Sequence, residues 1–180
     1  IEGFEQAVDR MRSEIMGMAR ANGARSEAHL EEERHLPFWL AVSNLDAGLA
    51  DRSSDFIKIR LNYPVSEWRG IGEVMEKTFS DAGLDYTMQI HAGNGICLPR
   101  LFILQGDAVA MDRGIHAVNS LQVRCCGVGG NLVVEDAPSG VKDRRKIWGE
   151  QGSDFVVMKR IKEQLDPSGI MSPGRFVGGL

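Results

Sequence analysis

Apolar residues recur along this chain with two different periods. At steps of four and three, Phe4, Val8, Met11, Ile15 and Met18 form one stripe, predicting an amphipathic helix that Asn22-Gly23 ends. At a step of two, Ile57, Ile59 and Leu61 alternate with Phe56, Lys58, Arg60 and Asn62, predicting a strand from Asp55 to Tyr63 that stops at Pro64. Helical spacing returns at Trp68, Ile71, Met75 and Phe79, with Ser66 as the expected cap and Gly83 as the stop. A second strand, Asp85 to His91, sets Tyr86, Met88 and Ile90 against Asp85, Thr87, Gln89 and His91. Gly93-Asn94-Gly95 suits a tight reversal, because Gly and Asn tolerate positive φ. A third strand runs from Ile96 to about Leu104. Gly106-Asp107 then opens a helix whose expected inner stripe is Met111, Ile115, Val118 and Cys125. Gly127 to Gly130 break that helix, and Leu132 to Glu135 read as a fourth strand.

The order strand, helix, strand, strand, helix, strand is that of the split βαβ, ferredoxin-like unit. The fold class is therefore α+β, with helices on one sheet face and the other face open. Three stretches follow. Residues 1–50 hold the first helix, a charge-rich segment 24–35 that suits either a helix or a solvated connector, and an apolar run around Trp39. Residues 51–136 form the ferredoxin-like domain, opened by a turn at Asp51-Arg52-Ser53-Ser54. Residues 137–180 form a helical tail. Its helix is capped at Ser153 or Asp154, buries Met158, Ile161 and Leu165, and ends at Asp166-Pro167-Ser168-Gly169 before a turn at Ser172-Pro173-Gly174-Arg175.

Charge narrows the function classes. The 180 residues carry 21 basic and 25 acidic side chains, a net charge of −4, which gives no footprint for nucleic acid. Arg144-Arg145-Lys146 is a short solvated helix face by the same reading. No apolar run is long enough to span a membrane, and no segment reads as a signal peptide. Cys97, Cys125 and Cys126 make neither a disulfide framework nor metal spacing, so a reducing, cytoplasmic setting is expected. The chain opens on Ile1 rather than Met, which sets the expectation of an excised or processed fragment.

The chemistry of interest lies on the open sheet face. Strand parity directs Lys58, Arg60 and His91 away from the helices, a set suited to orienting a small carboxylate by charge-assisted hydrogen bonds. A plain solvated face fits the same alternation. His91 beside a Gly-rich turn suits a cofactor contact or an ordinary surface histidine, and His29, His35 and His116 show no ligand spacing with it. Gly127-Val128-Gly129-Gly130 follows a helix and precedes a strand, the reverse of a dinucleotide fingerprint. No self-sufficient catalytic site is legible, and the catalytic residues stay unassigned.

Three ordered segments carry a family resemblance. They are Lys58-Ile59-Arg60-Leu61-Asn62-Tyr63-Pro64, then His91-Ala92-Gly93-Asn94-Gly95, then the run from Ile161 to Phe176 with its Leu165-Asp166-Pro167, Gly169-Ile170 and Pro173-Gly174-Arg175. Together they resemble the C-terminal region of FAD-linked oxidases of the glycolate oxidase and D-lactate dehydrogenase type. The resemblance runs from Gly3 onward and is nearest to the FAD-binding E subunit of glycolate oxidase.

The resemblance implies a cap domain over the substrate side of a flavin whose own domain is absent from this chain. The full-length protein would be an FAD-dependent oxidoreductase acting on a small 2-hydroxy acid such as glycolate or lactate, with other oxidase subunits as possible partners. The chain alone would be inactive and would hold no FAD. Lys58, Arg60 and His91 become substrate contacts; His91, Asn94, Pro173, Gly174 and Arg175 become flavin contacts. Metal-dependent members carry His-x-Gly-Asp-Gly-Asn-x-His and a later Glu-His pair. Here Asn94 replaces the Asp, Leu98 the second His, and Glu135-Asp136 the pair, so no metal is expected. Val42 stands near where the family's substrate arginine falls. The alternative is a non-catalytic ferredoxin-like module that binds a ligand or scaffolds a complex.

Overall fold

The computed structural model describes residues 3–30, 32–50, 54–142, 144, 147–149 and 151–180. The chain divides into two units, Ile1–Asp51 and Arg52–Leu180. In the first, helix α1 spans Glu5–Ala21, with Glu5 in its first turn and Arg20 in its last, each complementing the helix dipole. Its C-terminus is tied down by the Asn22 side-chain amide, which donates to Met18 O at 2.8 Å. The predicted stripe exists but is not a core: no residue of α1 is buried, and Phe4, Ile15 and Met18 are largely exposed. Spacing sets which side chains share a helix face; burial needs a second surface to cover them. Residues 24–30 have no regular structure, and helices α2 (Glu32–Ser43) and α3 (Leu45–Ala50) follow. Trp39 is exposed, with Phe38 edge-on to it at 5.4 Å.

The second unit is the predicted βαββαβ arrangement. Strand β1 (Ser54–Asn62) leads through a short 3-10 turn, Val65–Glu67, into helix α4 (Trp68–Ala82). Strands β2 (Tyr86–His91) and β3 (Ile96–Leu104), helix α5 (Ala108–Gly127) and strand β4 (Asn131–Asp136) complete it. The sheet order is β2-β3-β1-β4, antiparallel throughout. Of the predicted turn 51–54, Ser54 begins β1 and the rest lies outside the described residues.

The core lies between the sheet and the two helices. Ile57, Ile59 and Leu61 from β1 meet Ile71, Met75 and Phe79 from α4, the set that alternation and helical spacing predicted. Trp68, the first residue of the predicted α4 stripe, is instead half-exposed beside the Arg69 guanidinium. Ser66 does not cap α4. It lies inside the 3-10 turn, the cap position falls on Glu67, and no side chain bonds to the helix there. Gly83 closes α4 in the left-handed conformation as expected, and the Asp107 carboxylate caps α5 by accepting from Ala110 N at 2.8 Å.

The inner face of α5 differs in detail from the predicted stripe. Val118 and Cys125 are buried, but Ala110, Gly114, Ala117 and Leu121 fill the centre, and Met111 and Ile115 flank it half-buried. A Cβ on Gly114 would lie 3.0 Å from Ile57 Cδ1, so small residues are what let helix and sheet approach. Ile90, expected inside, is 44 % exposed near the end of the edge strand, whereas Tyr86 and Met88 pack against the core.

The tail begins beside β4. After the short helix α6 (Ser139–Lys142), Val134 N donates to Ile147 O at 2.7 Å, so this segment covers the outer edge of β4. Arg144 sits in a turn and pairs with Asp112 at 2.6 Å, not on a helix face; Arg145 and Lys146 lie outside the described residues. Helix α7 spans Phe155–Leu165. Its cap position is Asp154, without a side-chain bond, and its predicted stripe is not buried: Met158 is half-covered, Ile161 and Leu165 exposed.

Candidate functional site

Strand parity places Phe56, Lys58, Arg60 and Asn62 on the sheet face turned away from the helices. A β-bulge between β1 and β4 shapes this face. Ile59 pairs with Val134 but Lys58 pairs with Asp136, so Glu135 is the extra residue on β4. The Glu135 carboxylate reaches both cations: Lys58 Nζ at 3.0 Å and Arg60 Nη1 at 3.6 Å. Arg60 Nε also donates to Asn62 Oδ1 at 3.4 Å, and the Asn62 amide to Asn131 Oδ1 at 2.9 Å. Two of the predicted substrate residues are thus brought together, with Glu135 between them.

Arg100 joins this face from β3. It pairs directly with Lys58 in the register and with Thr87 on its other side, and Nη1 donates to Leu98 O at 3.0 Å. It is only 2 % exposed. Sequence reasoning passed over it; its level with Lys58 is set by the pairing of β1 with β3, which parity along the third strand does not give. Phe56 and Phe102 meet edge-on at 6.4 Å in the next row. Thr87 Oγ1 is buried without a hydrogen-bond partner among the described residues.

His91 and Asn94 are placed elsewhere. The β2–β3 reversal runs through a 3-10 turn at Ala92–Asn94 and then Gly95, at φ +64°. Tyr63 N donates to Gly95 O at 2.8 Å, and a Cβ on Gly95 would lie 2.0 Å from the Tyr63 oxygen, so only glycine fits. His91 is exposed, with the Gln89 amide donating to its Nε2 at 3.3 Å. His91 pairs with Ile96, which pairs in turn with Asn62, so it sits at the Asn62 end of the sheet. The Lys58 row is that of Thr87 and Arg100, four residues back along β2, and β1 lies two strand spacings away, about 10 Å. Lys58 and His91 share a face without sharing a pocket.

The tail residues return to the Glu135 side. Gly174 and Arg175 line an open cleft of about 710 Å³ with Glu135, Lys142, Trp148 and Phe176. Trp148 and Phe176 stack edge-on at 5.2 Å, and Trp148 Nε1 is buried without a hydrogen-bond acceptor among the described residues. Pro173 faces an adjoining depression beside Lys162 and Asp166. The Asp166 carboxylate organises the turn behind it, accepting from Ile170 N at 3.0 Å, Met171 N at 2.9 Å and Lys162 Nζ at 2.6 Å. Lys162 first, then these amides, hold its carboxyl below the ordinary range. Glu135 therefore belongs to both the sheet-face cluster and the tail cleft.

The thiols are structural in placement. Burial pushes Cys97 up to about 12 and Cys125 to about 11, so both stay protonated. Cys125 Sγ donates to Asn131 O at 3.3 Å, whereas Cys126 is exposed.

Neither a metal nor FAD finds a complete set of holders among the described residues. His91 and Glu135 stand on strands at opposite edges of the sheet, and no three His, Cys, Asp or Glu residues among those described gather closely enough for a metal. For FAD, the cleft offers a cation and an aromatic wall, but among the described residues no glycine-rich turn leads from a strand into a helix to cradle a pyrophosphate. Helix α7 carries Asp154 at its N-terminus, a charge that disfavours phosphate there. No helix among the described residues is long and apolar enough to cross a membrane.

A comparison with curated proteins finds no match. A protein-family model, "FAD linked oxidases, C-terminal domain", matches residues 1–176, nearly the whole chain. An α+β sheet with one open face and a C-terminal turn folded back beside it thus has its family: this chain belongs to the C-terminal domain family of FAD-linked oxidases.

Proposed function

We propose that this chain is the substrate-side cap and C-terminal tail of an FAD-dependent oxidoreductase that oxidises a small 2-hydroxy acid. The flavin is held by another domain of the full-length protein, and residues 51–136 form the cap with 137–180 as its tail. The observation that carries the reading is the convergence of Lys58 and Arg60 on the open face, 3.0 and 3.6 Å from one carboxylate. A place where two cations already hold a carboxylate is built for that group's size and charge. In this reading Lys58 and Arg60 orient the substrate carboxylate. His91, Asn94 and the Pro173-Gly174-Arg175 turn form separate points of contact with the flavin or substrate edge. FAD, when bound, supplies the hydride acceptor; this chain supplies orientation and excludes water. The family supports the oxidoreductase class and FAD, and the open face supports a carboxylate.

The test is a screen of the full-length protein for flavin reduction by 2-hydroxy acids, repeated with Lys58→Ala. We expect reduction by at least one short acid and a rise in KM of about tenfold or more in the variant, in line with a lost charged hydrogen bond. Flavin that no 2-hydroxy acid reduces, or unchanged kinetics in the variant, would overturn the proposal. Lys58 is mostly covered and ion-paired, so its removal is also expected to cost about 1–2 kcal/mol of stability. This is more than open-face parity alone suggests.

A further inference from the structure

We propose that the outer edge of β2 pairs with the same edge of a second copy of this chain, antiparallel, about a two-fold axis at Met88. The contact does not depend on the substrate assigned above. It uses the strand edge and leaves the open face free. β2 is an edge strand: it pairs with β3 and, among the described residues, with nothing on its other side. Backbone parity fixes which of its groups are unpaired. Phe102 N donates to Asp85 O at 2.9 Å, so Asp85 continues the ladder with β3. Thr87, Gln89 and His91 turn their N–H and C=O groups the same way, because hydrogen-bonded pairs alternate in an antiparallel ladder. Pro99, which has no N–H, lies opposite Met88, in keeping with a pair that exchanges no bonds. Tyr86, Met88 and Ile90 therefore point their backbone donors and acceptors outward.

The two edges of the sheet are built differently. β4 is bulged at Glu135, ends on the acidic pair Glu135-Asp136, and is covered where Val134 N donates to Ile147 O. Bulges, charges and cover all guard against edge-to-edge pairing. β2 carries none of them: its register with β3 runs without a shift, and Tyr86 to Ile90 holds neither charge nor proline.

Self-complementarity selects a second copy as the occupant. With the axis at Met88, Met88 meets its own copy and Tyr86 meets Ile90, so every outward N–H finds an outward C=O. Ile90, 44 % exposed in the single chain, gains cover from Tyr86 of the second copy. On the other face Thr87 lies opposite Gln89 and Asp85 opposite His91, an acid against a base, both exposed here. A slip of register in either direction separates Asp85 from His91. A slip by two also carries one of the three outward residues past the end of the partner strand.

The experiment is sedimentation equilibrium of the full-length protein, in wild type and variants. Wild type is expected to form a reversible dimer. Ile90→Pro removes an outward N–H and no bond to β3, so the sheet is kept and the dimer should be lost. His91→Glu sets two acids opposite each other on both sides of the axis and should raise the dimer Kd about tenfold. Adding Asp85→Lys should bring the Kd back towards the wild-type value. Where Ile90→Pro does not fold, hydrogen exchange in wild type gives the second reading: the Met88 and Ile90 amides should slow as the concentration rises through the Kd. A dimer that neither Ile90→Pro nor His91→Glu weakens is built elsewhere and overturns the proposal. A wild-type monomer at high concentration overturns it too. Slow exchange of the Met88 and Ile90 amides in that monomer would show that another segment of the same protein covers the edge.

Discussion

Lys162 Nζ lies 2.6 Å from the Asp166 carboxylate one turn further along, and the same ammonium donates to Met171 O at 2.5 Å. One cation and one carboxylate thus staple the end of α7 to the turn that delivers Pro173, Gly174 and Arg175 to their two depressions.

The staple is pH-dependent, with a sign set by the direction of the shift. Asp166 has its folded pKa lowered below the ordinary 3.8, so its contribution is fully present above that value. It is lost as the pH falls through the folded pKa. Hydrogen exchange at the Ile170 and Met171 amides should stay slow from neutral pH downward and quicken only in strong acid. In Asp166→Asn those amides should already exchange fast at neutral pH. Equal protection in variant and wild type would show that the turn holds without the carboxylate.

Gly95 and Gly93 sit in one turn but should answer differently to alanine. At Gly95 the new Cβ would meet the Tyr63 carbonyl at 2.0 Å and φ is +64°, so Gly95→Ala is expected to cost about 3 kcal/mol or more. At Gly93 nothing lies within 4 Å and φ is not positive, so Gly93→Ala should stay within about 0.5 kcal/mol. Urea midpoints of the two variants make the comparison.

The three thiols should separate by reactivity. Cys126 is exposed and should react promptly with a disulfide reagent at neutral pH, whereas Cys97 and Cys125 should wait for unfolding. Their raised folded values also bear on alkaline stability. The contribution is fully present below the unfolded value of 9.0 and is lost as the pH rises through about 11 for Cys125 and about 12 for Cys97. Replacing Cys97 with Ala should flatten the decline between about pH 9 and 12. An unchanged alkaline slope would remove burial of this thiol as its cause.

The tail exposes apolar side chains that a solvated helix would not carry. Ile161, Leu165, Ile170 and Met171 are all more than half exposed, and Phe176 nearly so. By contrast, Phe56 and Val133 on the sheet face are half-covered. The isolated chain is therefore expected to self-associate through the tail more than through the sheet. Sedimentation should show a concentration-dependent species that Leu165→Glu reduces; a monomer at all concentrations would argue against it.

The sequence by itself determined the elements of the βαββαβ unit and the class of fold. Alternation at Ile57, Ile59 and Leu61 and helical spacing at Ile71, Met75 and Phe79 are local properties of the chain, and each has one geometric solution. The ordered motifs from Lys58 to Phe176 likewise pointed to the family whose model matches residues 1–176. What spacing could not decide was which stripes are covered. The stripes of α1 and α7 read like that of α4, yet neither contains a fully buried residue, because coverage depends on what packs opposite. Nor could it decide the site. The link from Glu135 to Lys58 and Arg60 depends on a one-residue bulge between strands more than seventy residues apart in the chain. The level of Arg100 with Lys58, and the distance of His91 from both, follow from the register of three strands. Register is a property of paired strands, so only the tertiary structure sets it.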